Sequence, residues 1–171
     1  MEPLAHASIG LMVKPVAPKA PLWALIAATQ VPDLLSFGFI ALDIEKPGVS
    51  TMDFNQGLQT FSLPYYPFSH GCFMCIVWSL LVAGIAYLFL KDLKPSLVIG
   101  SMVFSHWVLD FLVYSTLPLL FGNRNLVGLG LMNTKPGVFI SIFLELLLIS
   151  TGLIIYFRAR KRAALQEGQK Q

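Results

Sequence analysis

The sequence predicts an all-α integral membrane protein, with four transmembrane helices plus a short amino-terminal partly inserted helix. Three observations carry that expectation. Of the 171 residues, 56% are hydrophobic and 12% charged, whereas a soluble globular domain has about one quarter charged. Mean hydropathy is strongly positive, at +0.70. Apolar runs of about twenty residues recur, each long enough to cross a hydrocarbon core of ~30 Å at a rise of ~1.5 Å per residue.

Taken in order, residues 1–13 are short and apolar and contain His6 and Gly10. They lack the leading positive charge and small-residue cleavage site of a signal peptide, and they are too short to span. A basic, proline-broken hinge follows, Lys14-Pro15-Val16-Ala17-Pro18-Lys19. The first span is expected at about 21–42, interrupted by Val31-Pro32-Asp33. Proline removes a backbone donor, and a broken helix at membrane depth is tolerated where it faces protein or a water-filled cavity. Residues 43–68 read as a polar loop over the mouth of the bundle, and the second span as 68–90, with His70 at its start. The turn Lys91-Asp92-Leu93-Lys94 leads into a third span at about 95–121. A glycine-bearing loop (Gly122, Gly128, Gly130) covers 118–137, and the fourth span, 136–157, contains Glu145. The single bundle thus takes in residues 1–162, and residues 163–171 are expected to be a disordered cytoplasmic tail.

Basic residues orient the bundle. Lys14 and Lys19 precede span one, Lys91 and Lys94 join spans two and three, and Arg158-Ala159-Arg160-Lys161-Arg162 follows span four. With four crossings all three sets fall on one side, and the positive-inside rule makes that side cytoplasmic, with both termini. The net charge of +3 therefore belongs to membrane edges and is not a nucleic-acid footprint.

Within the spans the only acids are Asp33, Asp110 and Glu145, and there is no Lys or Arg. The chain has three histidines, His6, His70 and His106. In Ser105-His106-Trp107-Val108-Leu109-Asp110, His106 and Asp110 are four residues apart, one helical turn on one face, where they can grip one cation together. Counting ~1.5 Å per residue from the inner boundary puts Asp33 and His106 at roughly 16 Å, Glu145 at roughly 18 Å, Asp110 at roughly 22 Å and His70 at roughly 30 Å. Carboxylates gathered without a basic residue repel one another unless they are protonated or hold a cation.

Singly, each residue has a plain reading: a histidine that hydrogen-bonds between helices, an aspartate that caps half a broken helix, a protonated glutamate. Together they point to a metal site. Tyr114, one turn beyond Asp110, reads as an interfacial aromatic or as a neighbour of that site. Cys72 and Cys75 have a redox or zinc spacing but point away from His70 on a helix, which favours packing.

The order of His6, Pro32-Asp33, Tyr66-Pro67-Phe68-Ser69-His70-Gly71, the Ser105–Asp110 hexapeptide, Gly128-Leu129-Gly130-Leu131-Met132-Asn133 and Glu145 resembles the YdjM-like family of bacterial inner-membrane metal-dependent hydrolases. The likeness covers most of the chain. Members usually show His-Ser where this chain has His70-Gly71. The resemblance implies a bacterial inner-membrane location. Asp33, His70, His106 and Asp110 are also similar, in order and spacing, to the zinc ligands of zinc-dependent phospholipase C and the P1-type nucleases. That similarity implies one Zn2+ on those four residues and gives His6 a second ion sharing Asp110. It leaves a third site incomplete, because Ser141 stands four residues before Glu145. One or two zinc-type ions are expected, with Glu145 auxiliary.

Metal-assisted hydrolysis of an ester or phosphoester in a lipid or lipid-linked substrate is then the expected activity. The alternative of another class is a non-catalytic metal- or proton-handling membrane protein such as a permease component, for which buried acids and histidines also occur.

Overall fold

The computed structural model describes residues 3–46, 50–53, 57–60, 65–121 and 125–169. Six helices dominate: α1 (Pro3–Val13), α2 (Leu22–Thr29), α3 (Val31–Ala41), α4 (Cys72–Leu90), α5 (Leu93–Val113) and α6 (Lys135–Gly168). Three of them, α4, α5 and α6, are long and apolar enough to cross a membrane. The pair α2–α3, bent by 49° at Gln30 with Pro32 in the first turn of α3, makes a fourth span of that length and apolarity when taken as one broken helix. The protein is an all-α membrane protein with a short amino-terminal helix.

The helix α5 is the centre of the bundle. Over its apolar stretch 56% of residues are buried inside the protein, against 11% for α4 and 17% for α6, whose other faces are left for lipid. Small residues spaced four apart let α4 and α5 approach closely: Ser79 and Ala83 on one, Ser96 and Gly100 on the other. A Cβ on Gly100 would come within 2.5 Å of the Ser79 carbonyl oxygen and 2.6 Å of Ala83. Gly100→Val is therefore expected to cost about 1–3 kcal/mol by overpacking, read as a lower thermal midpoint in detergent; an unchanged midpoint would show that the pair does not set stability.

The helix α1 does not rest at an interface alone. Ala5, His6, Ser8 and Gly10 are buried, and the helix wedges between α2, α5 and α6. Gly10 abuts the backbone of Leu25 and Ile26, while Ser8 abuts Gly152 of α6. The Lys14 ammonium closes the hinge behind it by donating to the carbonyls of Pro18 and Ala20, at 2.8 and 2.7 Å. Lys19 then pairs with Asp92 at 2.8 Å, setting the first basic segment beside the turn that carries Lys91 and Lys94. The hydrogen bond from Lys19 holds the Asp92 carboxylate below its ordinary range.

Three expected boundaries change. The third span ends at Val113, well short of residue 121. Tyr114 turns to an extended backbone, and Leu117–Pro118 (β3) pairs antiparallel with Leu126–Val127 (β4). This loop is fastened to the end of α5 by Leu129 N–H donating to the Phe111 carbonyl and Gly130 N–H to that of Tyr114. Gly128, at φ 133°, sits where a Cβ would collide with the Tyr114 carbonyl. The loop between α3 and α4 is not irregular throughout: Ser50–Asp53 (β1) and Gly57–Thr60 (β2) form an antiparallel hairpin. Finally, the expected disordered tail from residue 163 is helical up to Gly168 and exposed, because α6 continues without a break. Its Arg, Lys, Ala, Leu, Gln and Glu are strong helix formers. Gly122 of the glycine-bearing loop lies outside the described residues.

Candidate metal centre

The break in the first span builds the first part of the centre. A helix that stops leaves its last carbonyls without partners. The Thr29 carbonyl, in the last turn of α2, is 2.8 Å from Nδ1 of His106. A carbonyl only accepts, so Nδ1 carries the proton and donates, and the neutral ring presents a lone pair at Nε2. The break in the first span thus leaves available the group that sets the tautomer of a histidine 77 residues away. Asp33, in the first turn of α3, lies at the positive end of that half-helix.

Four side chains converge. His70 Nε2 is 3.3 Å from Asp33 Oδ1 and 3.9 Å from Asp110 Oδ2; His106 Nε2 is 3.6 Å from the same Asp33 oxygen and 3.2 Å from the same Asp110 oxygen. An ion bound at about 2.0–2.2 Å in a tetrahedron separates its donor atoms by about 3.3–3.6 Å. Ordinary N–H···O bonds are shorter, about 2.7–3.2 Å. Two of the four spacings, 3.3 and 3.6 Å, match edges of such a shell, while 3.2 Å lies at the upper end of hydrogen bonding and 3.9 Å is longer than either. His106 Nε2, fully buried, has no hydrogen-bonding partner among the described residues, as expected of an atom that waits for a cation. Two anionic carboxylates and two imidazole lone pairs form a donor set suited to a zinc-type dication.

His6 enters from α1. Its ring stacks on His106 with centroids 3.8 Å apart, and its Nε2 is 3.4 Å from the other oxygen of Asp110. Asp110 thus offers Oδ1 toward His6 and Oδ2 toward His70 and His106. Two overlapping donor groups result: Asp33, His70 and His106, and His6, His106 and Asp110. Neither ring nitrogen of His6 has a hydrogen-bond partner among the described residues.

The centre opens onto a cavity of about 240 Å³. Asp33, His70 and Asp110 line its floor; Ser36, Tyr66, Tyr114 and Thr116 add hydroxyls, and Leu117 and Pro118 form an apolar wall. Among the described residues, no Lys or Arg lines it. The cavity sits at the end of α5 away from the Lys91–Lys94 turn, under the loop that β3 and β4 close.

Not every expected residue joins. Glu145, half-buried on α6, belongs to neither donor group and is not among the residues that line the cavity. Cys75 is buried and donates its thiol to the Ser69 carbonyl at 3.4 Å; neither cysteine belongs to a donor group. Tyr114 lines the cavity.

Sequence reasoning missed three residues. Thr29 acts through its backbone, which no side-chain pattern announces. Ser69 and Glu45 lie behind His70: the Ser69 oxygen is 2.8 Å from His70 Nδ1 and donates to Glu45 Oε2 at 2.6 Å. Glu45 is 2% exposed although it comes from the polar loop. The hydroxyl that touches His70 therefore comes from the residue before it. A side chain at Gly71 would run into the Pro67 carbonyl.

No protein-family model, no curated protein and no solved structure matches this chain. The functional reading rests on the residues and their arrangement.

Proposed function

We propose that the protein is a membrane-embedded, zinc-type metal-dependent hydrolase acting on an ester or phosphoester of a lipid or lipid-linked substrate. The observation that carries this is four nitrogen–oxygen separations of 3.2–3.9 Å between two histidines and two aspartates beside an open cavity. A divalent ion there supplies Lewis-acid chemistry and lowers the pKa of water toward ~7. The chain's own part is to hold two carboxylates and the imidazole lone pairs on one point and to present three of those side chains to a bounded space. Access through that space would let water join an ion there if its four-ligand shell expands or if a second ion is held by His6 and Asp110, and this favours a hydrolytic site over the non-catalytic alternative.

A lipid substrate is supported by a second space. An apolar groove of about 540 Å³ runs between α2–α3 and α4, lined by residues such as Trp23, Ala27, Leu34, Val82 and Phe89. Val31 and Leu34 of this groove flank Asp33 on α3, so a hydrocarbon chain lying there would bring its polar end close to the donor set.

The same reading takes in the resemblance to bacterial inner-membrane hydrolases, and with it a bacterial cytoplasmic membrane with both termini inside. The Lys19–Asp92 pair supports it by holding two of the three basic segments at one end of the bundle. In intact cells, a membrane-impermeant thiol reagent applied outside should label a single cysteine at Asn125 and leave one at Gln166 unlabelled. The native Cys72 and Cys75 are replaced by serine in these variants, with the Cys-less protein carrying no introduced cysteine as blank. Labelling at Gln166 in unbroken cells would reverse the orientation. The activity itself is tested by turnover of a lipid panel with and without chelator, as developed below.

A further inference from the structure

Behind His70 lies a short chain of hydrogen bonds whose direction is set by its far end. Asp43, at φ 56°, turns the backbone out of α3, and the N–H groups of Ile44 and Glu45 both donate to the Phe39 carbonyl, which fixes Glu45 under the loop. Its Oε1 accepts from the backbone N–H groups of Phe68 and Ser69, each at 2.9 Å. Its Oε2 accepts the Ser69 hydroxyl proton at 2.6 Å. A hydroxyl has one proton to give. With that proton on Glu45, Ser69 Oγ can only accept from His70 Nδ1, 2.8 Å away. The neutral His70 ring is then in its Nδ1–H form, with its lone pair at Nε2, the atom 3.3 Å from Asp33.

We propose that Glu45 is a positioning residue for the metal centre: acting through the Ser69 hydroxyl, it locks His70 in the tautomer that turns an Nε2 lone pair toward the ion. This rests on the metal reading above, and gives His70 the service that the Thr29 carbonyl gives His106. A carboxylate or carbonyl behind a ligand histidine is a general way to fix ring orientation and raise ligand basicity. Glu45 would contribute nothing to the chemistry directly, since the Ser69 hydroxyl and the His70 ring stand between it and the donor atom.

The isosteric change Glu45→Gln makes a sharp test, because the backbone dictates how the amide must lie. The N–H groups of Phe68 and Ser69 need an acceptor, so the amide oxygen takes the Oε1 place and the NH2 group faces Ser69. The NH2 then donates to Ser69 Oγ, the hydroxyl turns to donate to His70 Nδ1, and the proton of the ring moves to Nε2. The tether between loop and turn is kept while the relay runs backwards.

The experiment uses the full chain in detergent, 15N-labelled at histidine and stripped of metal by chelator, with His70 assigned by a His70→Gln variant. Wild type should show His70 with a protonated Nδ1 and bare Nε2, and Glu45→Gln the reverse. Ser69→Thr, which retains the hydroxyl, should behave as wild type, and Ser69→Ala should lose the preference. Zinc affinity, read by competition with a chromogenic chelator, should fall about 10–100-fold in Glu45→Gln and Ser69→Ala and stay within a few-fold in Ser69→Thr. A role in folding alone would lower thermal stability and leave the tautomer unmoved. An Nε2–H His70 in the wild type, or an unchanged tautomer in both Glu45→Gln and Ser69→Ala, overturns the relay. A reversed tautomer with unaltered zinc affinity overturns its positioning role. A wild type with the Nδ1–H tautomer that takes up no zinc overturns the metal reading instead, and the two failures are told apart.

Discussion

Protein purified in detergent without chelator should carry a zinc-type divalent metal, and His106→Ala should carry almost none. His106 is the member common to both donor groups, so its removal strips a nitrogen from each and leaves the Thr29 carbonyl without its donor. Elemental content per chain reads the effect directly. A second reading comes from stability, because an ion that binds the folded state alone stabilises it by about 4 kcal/mol at a concentration a thousandfold above its dissociation constant. Adding zinc back to stripped wild type should raise its thermal midpoint by several degrees and leave that of His106→Ala where it was. The same metal content in both proteins would end the metal reading, as would a midpoint that zinc raises equally in both.

Asp110→Asn should abolish hydrolysis while Glu145→Gln stays within a few-fold of wild type. Asp110 is nearly buried and offers one oxygen toward His6 and the other toward His106 and His70. Asparagine keeps its shape but removes a negative charge and replaces one acceptor with a donor, so the His6–His106–Asp110 group loses its carboxylate and His70 and His106 of the other group lose the anionic oxygen beside them. The loss should be at least ~10²-fold, the scale seen when a single electrostatic stabiliser is taken from a reaction site. Glu145 lies outside the cavity and outside both donor groups, which is why its amide should be tolerated. Release of phosphate or head group from phospholipids and polyprenyl phosphates, with and without chelator, measures both variants. Turnover that survives chelation and Asp110→Asn alike would refute the mechanism, and a fully metallated protein inert across the panel would favour the non-catalytic alternative.

Much of this protein is legible in one dimension because the membrane makes it so. Apolar length tells where helices cross, and the absence of Lys and Arg within the spans makes Asp33, His106 and Asp110 conspicuous. The i,i+4 spacing of His106 and Asp110 is a local property of a helix, and the structure keeps both side chains on one face of α5. Pro32 announces the break in the first span, and the break occurs within two residues of it. Glu145 carried the same signal as Asp33 and Asp110, an acid in an apolar run, yet lies outside the cavity. Depth along a helix says nothing of which way the side chain faces.

What the sequence by itself determined was the class of fold, the bent first span and the residues able to hold a cation. Only the tertiary structure decided how those residues are aimed. The Thr29 carbonyl is invisible in any side-chain pattern, and its importance arises when α5 brings His106 beside the end of α2. Glu45 reads in sequence as one more acid in a polar loop. It is buried and bonded to Ser69 because the turn after α3 folds back under the approach to α4. The physical reason is the range of the interactions: hydrophobic length and helical spacing act between near neighbours in the chain, whereas tautomer and lone-pair direction depend on a partner 24 or 77 residues away.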